Sequence, residues 1–197
     1  MRSLRLTKLD RTRAGGGVDA ARTRFRVVTE RSAVLIEARS NVGPISFGSN
    51  AVVGFVEADI DGDGVETASL PSARLSVDLS SLRSGNGLYD AELLRRVDAR
   101  HHPMTTVELR EAVRIGNTDR YQVTGDLTFH GVTRTTSGTV AVSLLGSGKI
   151  QVVGEHQFDI RDFDIVAPSV LMLRIYPDVH VQLQLEAEPV ALDDGGG

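Results

Sequence analysis

Between residues 21 and 190 the chain is dominated by alternation of apolar and polar positions. Ala73, Leu75, Val77 and Leu79 alternate with Arg74, Ser76 and Asp78. Tyr121, Val123, Leu127 and Phe129 alternate with Gln122, Thr124, Asp126 and Thr128. Val179, Val181, Leu183 and Leu185 alternate with His180, Gln182, Gln184 and Glu186. Val107, Leu109, Val113 and Ile115 share one parity, with Glu108, Arg110 and Arg114 on the other. A repeat of two puts the apolar side chains on one face of a pleated strand. Turn-forming clusters at residues 41–44, 61–64, 116–119 and 146–148 separate such runs. One stretch breaks the rhythm. From Tyr89 to Ala99, Leu93, Leu94 and Val97 recur at helical spacing among charges, and Pro103 follows, which predicts one short helix between two strands.

About eight or nine strands, each apolar on one face, must hide that face within one domain. A closed or nearly closed antiparallel barrel does so and removes exposed edges; a two-layer sandwich satisfies the same pattern. A barrel of about eight strands has room for its own side chains or for one ligand. The 197 residues suffice for a sizeable core, and 41% hydrophobic with 24% charged residues is ordinary globular composition. Residues 1–20, basic and ending near Gly15-Gly16-Gly17, read as an arm, and residues 191–197 as a tail, both flexible. The arm could touch anionic lipid or act as a solubilising extension.

Charge and missing residue types narrow the chemistry. The net charge is −4, so no general attraction to nucleic acid is expected. There is no cysteine, which removes disulfides, thiolate metal sites and cysteine nucleophiles. No apolar run reaches the ~18 residues of a membrane-spanning helix, and the basic first residues lack the apolar core of a secretory signal; a cytoplasmic protein without stable membrane insertion is expected. No Gly-x-Ser-x-Gly elbow, phosphate-cradling loop or His-Glu-x-x-His pair is present, so no catalytic set, cofactor or metal is expected. His101 and His102, adjacent on extended chain, point opposite ways and make a poor chelate. Asp59, Asp61 and Asp63 with Gly64 match half of a calcium loop, but Leu70 stands where a glutamate is required; an Asp-Gly turn accounts for them. Arg161 and Asp162 suit either an ion pair or a polar ligand head.

The inward apolar face supplies the candidate ligand-binding residues: Val34, Ile36, Val52, Val56, Leu75, Val77, Leu79, Val107, Leu109, Val123, Leu127, Phe129, Val140, Val142, Val152, Phe158, Ile160, Val181 and Leu183. Two readings stand for them, the lining of a dry tunnel or the filling of a core. Only 5% of the chain is aromatic and it has no tryptophan, so the barrel is short of bulky filler. His156 shares the parity of Val152, Phe158 and Ile160 and is also assigned to the interior. A buried imidazole needs a partner, either a protein neighbour or a ligand head.

The order of motifs carries a resemblance. Gly125-Asp126-Leu127-Thr128-Phe129-His130-Gly131-Val132-Thr133-Arg134 resembles the G-x-L-T-x-x-G-V-T-R hallmark of the YceI-like family. Upstream, Asp90 to Leu94 and Arg100 to Thr105 are similar to that family's helix and following strand start; downstream, Phe158 to Ile165 resembles its I-x-R-x-D-F-G-I stretch and Asp178 to Leu185 its last strand. The resemblance covers roughly residues 24–187. It implies an all-β, lipocalin-like antiparallel barrel with a helix near one end, holding an isoprenoid quinone or polyprenol derivative in an apolar tunnel as a carrier, storage or stress protein and not as an enzyme. A lipid-modifying enzyme on the same barrel, or a fully packed interaction barrel, are the alternatives, and a homodimer is an open option. Three positions depart from the family's pattern: Glu30-Arg31-Ser32 before the second strand, Asp164 in place of a glycine, and Val107 in place of a phenylalanine.

Overall fold

The computed structural model describes residues 22–61, 64–67, 71–167, 169–170 and 173–190; the arm and tail read from the sequence lie outside them. Twelve strands form, all with antiparallel neighbours: β1 (Arg22–Val27), β2 (Ala33–Ser40), β3 (Gly43–Ser49), β4 (Val52–Asp61), β5 (Gly64–Glu66), β6 (Ser72–Asp78), β7 (Met104–Arg114), β8 (Arg120–Phe129), β9 (Val132–Leu144), β10 (Ile150–Asp159), β11 (Ser169–Val170) and β12 (Leu173–Val190). Helix α1 spans Gly87–Arg96. Eight strands close a barrel in the order β1-β4-β6-β7-β8-β9-β10-β12, with β12 returning to β1. The additional strands are a hairpin, β2–β3, laid on β12, and the short β5 and β11.

β12 explains how the extra hairpin is attached. Its first part pairs with β2 and its last residues with β1. Pro177, which has no N–H to give to the ladder, falls where the β12–β2 register shifts between Ile175 and Val179. β1 and β2 are two pieces of one path along β12, separated by a 3₁₀ turn at Thr29–Arg31. Ser32, buried, holds this joint: its Oγ donates to Val28 O at 2.8 Å and accepts from the Glu186 N–H at 3.3 Å. Its partners are backbone groups that the break in the strand leaves without a ladder.

Helix α1 lies between β6 and β7, as the spacing predicts, but from Gly87 to Arg96 rather than from Tyr89 to Ala99. Asn86 fixes the start, its Oδ1 accepting from the N–H groups of Leu88 and Tyr89 at 3.0 and 3.4 Å. The chain leaves the helix through Asp98, whose φ is +45°. Among the described residues no helix is long and apolar enough to cross a membrane.

One expectation from the alternation fails. Val107 and Leu109 face inward, but Val113 and Ile115 are 52% and 42% exposed, and Ala112, just before Val113, is buried. The β7–β8 register shifts between Leu109 and Glu111. A bulge adds one residue to β7, and one residue exchanges the two faces of everything beyond it. Gly125 sits opposite this kink; a Cβ there would lie 2.7 Å from Glu108 O, so the bulged strand approaches where only a glycine leaves room.

Candidate ligand-binding cavity

The two ends of the barrel interior are built differently. Near the β7–β8 turn, Tyr121 stands inside the barrel, 2% exposed, and packs with Ala58 and Val65. Its hydroxyl accepts from the Val65 N–H at 3.0 Å and donates to Val65 O at 3.3 Å, which pairs the polar tip of an otherwise apolar filler. Phe25, Ile150, Leu185 and Ala187 are also almost fully buried. Toward the α1 end the interior opens into a cavity of about 340 Å³, within the ~300–1,000 Å³ usual for small-molecule pockets.

Of the candidate residues read from the sequence, the structure brings seventeen to this cavity. β2 contributes Val34 and Ile36, and β4 contributes Val52. Leu75 and Val77 come from β6, and Leu79 from the 3₁₀ turn after it. Val107 and Leu109 stand on β7 before the bulge; Val123, Leu127 and Phe129 on β8; Val140 on β9; His156 and Phe158 on β10; Val181 and Leu183 on β12. Ile160 lines it from the 3₁₀ turn that follows β10. Val56, Val142 and Val152 share the inward parity but pack within the core without lining the cavity; Val56 pairs with Phe25, and Val152 with Leu185 and Val142.

Other lining residues escaped the sequence reading. Ala38, Ile45 and Phe47 come from the β2–β3 hairpin; Leu82, Tyr89, Leu93 and Val97 from α1 and its approach; Ile165, Leu173, Ile175 and Val179 from the segment after the Ile160–Phe163 turn and the first part of β12. The two-residue alternation of Ile45 and Phe47 is a signal for the hairpin. Thr136 lines the cavity too, but a lone inward threonine is invisible to an apolar pattern.

The polar groups at the cavity are mostly paired with one another. Glu92 and Arg96 reach it from α1, and Arg96 Nε donates to Glu92 Oε1 at 2.7 Å. Hydrogen bonds from Arg95 and Arg96 hold the Glu92 carboxyl below the usual carboxylate range. His156 is half-buried, and Thr136 Oγ1 lies 2.7 Å from its Nε2. Its ring stacks on Phe158 at 6.1 Å and 19°, and Phe158, Phe129 and Phe163 meet edge to face at 5.2–6.0 Å. Burial pushes the His156 imidazole below its ordinary value of 6.5, which favours the neutral ring.

The remaining candidates lie elsewhere. His101 Nδ1 faces Asp98 at 2.9 Å, while His102 meets the His130 ring edge-on at 5.4 Å. Arg161 forks onto Asp159, and Asp162 O accepts from Arg134 Nε at 2.9 Å. Asp63 and Leu70 fall outside the described residues. Among the described residues no group of three or more His, Asp or Glu side chains is placed to hold a metal ion.

A family model, the YceI-like domain, matches residues 25–187. The chain belongs to the YceI-like family. No curated protein matches it by sequence. BcnA of Burkholderia cenocepacia superposes with a TM-score of 0.71 at 20% identity, over 82% of this chain and 99% of BcnA. A polyisoprenoid binding domain from Saccharophagus degradans, implicated in plant cell wall breakdown, gives 0.65 at 16%, over 86% and 100%. The Campylobacter jejuni YceI protein gives 0.60 at 16%, over 75% and 86%. At these identities the likeness is one of fold, the barrel that the motif order implied.

The departures from the family's pattern have structural counterparts. Asp164, in place of glycine, has φ +58°, a left-handed backbone that aspartate tolerates better than most side chains. Val107, in place of phenylalanine, points into the cavity yet is 39% exposed; the smaller side chain leaves that part of the interior open. Ser32 is the last of the three residues before β2, and it makes the buried joint already described.

Proposed function

We propose that this YceI-like protein binds the chain of an isoprenoid-type lipid, such as an isoprenoid quinone or polyprenol derivative, inside the barrel, and serves as its carrier or store rather than as an enzyme acting on it. The observation that carries the reading is the cavity itself: apolar side chains from seven of the eight barrel strands and from the β2–β3 hairpin surround open space. Apolar surface left facing a void forfeits contacts that a bound hydrocarbon chain restores, and each CH₂ withdrawn from water contributes about 0.8 kcal/mol. The likeness in fold to a polyisoprenoid binding domain supports the same ligand class. Among the described residues His156 is the histidine at the cavity; its partner is a hydroxyl and its burial disfavours the charged ring, which supports a polar contact more than a proton relay.

Mass spectrometry of the organic extract of the protein purified from its native host tests the reading. A polyprenyl compound in near-equal amount to protein is expected. An extract free of such lipid, together with no uptake of added geranylgeraniol or menaquinone, contradicts it.

A further inference from the structure

The barrel wall carries a seam beside His156. Backbone pairing between β9 and β10 runs from Leu144–Ile150 to Thr139–Glu155 and stops there. Beyond that point β9 stays paired with β8 down to Val132, and β10 stays paired with β12 down to Asp159. The two strands therefore part while each keeps its outer neighbour. Thr136 and His156 face each other across the gap and hydrogen-bond at 2.7 Å. Farther along, the 3₁₀ turn Ile160–Phe163 closes the gap, held by His130 Nδ1 on Phe163 O and Arg134 Nε on Asp162 O, each at 2.9 Å.

With Nε2 committed to Thr136, the other ring nitrogen of His156 is the free one. Gly138 leaves the space before it open: a Cβ on Gly138 would stand 3.8 Å from Nδ1. The ring is held in place by Phe158 on its face and by Thr136 at its tip. A threonine hydroxyl donates or accepts, so Nδ1 can take either role toward a ligand. The surroundings select against charge. Burial disfavours the imidazolium, and the guanidinium of Arg96, the cation at the cavity among the described residues, is tied to Glu92. A phosphorylated head would have to leave water without a free cation to receive it, a costly transfer; a single carbonyl or hydroxyl oxygen needs one hydrogen bond.

We propose that the seam between β9 and β10 is the head-group site of the lipid cavity, with His156 Nδ1 as the binding atom, and that it takes an uncharged oxygen head, a quinone carbonyl or a prenyl alcohol, in preference to a phosphorylated one. This rests on the lipid-binding reading above. His156 and Thr136 are then specificity residues: the apolar wall holds the chain, and the seam reads its end.

The test measures binding of three probes of matched chain to the whole protein by displacement of an apolar fluorophore: geranylgeraniol, its phosphate, and the corresponding hydrocarbon. The alcohol is expected to bind about three- to tenfold more tightly than the hydrocarbon, the worth of one net hydrogen bond, and more tightly than the phosphate. His156→Phe and Thr136→Val are each expected to narrow the gap between alcohol and hydrocarbon. In the unaltered protein the His156 Nδ1 resonance should move on adding the alcohol and stay on adding the hydrocarbon, so the inference is readable even if a variant fails to fold. Tightest binding of the phosphate, equal binding of all three, or an unmoved Nδ1 resonance with the alcohol bound overturns the head-group site and leaves the lipid cavity standing. Binding of none of the three overturns the cavity reading instead.

Discussion

The filled end and the hollow end of this barrel are made from strands with the same alternation, yet one is plugged and the other open. At the filled end Tyr121 reaches the Val65 backbone, and Phe25, Ile150 and Leu185 are 2% exposed or less. At the hollow end the inward residues are largely valine, leucine and isoleucine, and Val107 keeps 39% of its surface exposed inside the wall. Period decides which way a side chain points; summed side-chain volume across the barrel decides whether the residues meet. On the proposed reading the two ends have different duties, stability at one and accommodation of a lipid chain at the other.

Truncation separates the two ends most sharply. Tyr121→Ala should cost about 3–5 kcal/mol of stability, the usual loss for a buried aromatic, whereas Val107→Ala should cost below about 1 kcal/mol because its methyl groups already face open space; chemical denaturation of both variants checks this. Equal losses would mean that the hollow end is packed in solution. Filling is the converse. Val107→Phe should raise stability by about 0.5–2 kcal/mol, as cavity filling commonly does, and weaken prenol binding about tenfold or more, or about 1.4 kcal/mol, read by thermal unfolding and titration of one preparation. A smaller effect concerns the turn at the hollow end. Asp164→Gly should stabilise by about 1 kcal/mol or less by relieving a left-handed backbone, visible as a small rise in Tm.

The smallest expected effect is on pH dependence. The folded His156 imidazole titrates below 6.5, its ordinary value, so the unfolded chain takes up its proton first as the pH falls. Above 6.5 this group leaves stability unchanged. From 6.5 down to its own folded value it lowers stability, and below that the loss is constant. The paired carboxylates, whose ordinary values are 3.8 and 4.5 and whose folded values are lower, act only in more acid solution. His156→Phe should therefore flatten the slope of unfolding free energy just below pH 6.5; an unchanged slope would show that the ring is hydrated.

Much of the architecture was legible in the residues. Alternation in β6, β8 and β12 and the turn clusters between strands were enough for a barrel, and helical spacing within Tyr89–Ala99 for its helix. What escaped is physically distinct. The β7 bulge adds one residue whose presence depends on the approach of Gly125 from the next strand, a pairing that no single strand records, so alternation alone puts Val113 and Ile115 on the wrong face. Val56, Val142 and Val152 have the same chemistry and parity as their cavity-lining neighbours and differ in what stands opposite: Phe25 for Val56, Leu185 for Val152, and Val152 itself for Val142. Inward direction could be read for His156, but its partner Thr136 lies twenty residues away across a gap in hydrogen bonding.

Methyl-resolved NMR of the valine and leucine side chains during titration with geranylgeraniol tests the contrast between the two ends most directly. The account predicts that the methyls of Val107, Leu109 and Leu183 shift progressively with ligand while those of Val56, Val142 and Val152 hold their positions. Shifts confined to outward methyls such as Val53 and Val153, or spread evenly over both ends, would contradict it.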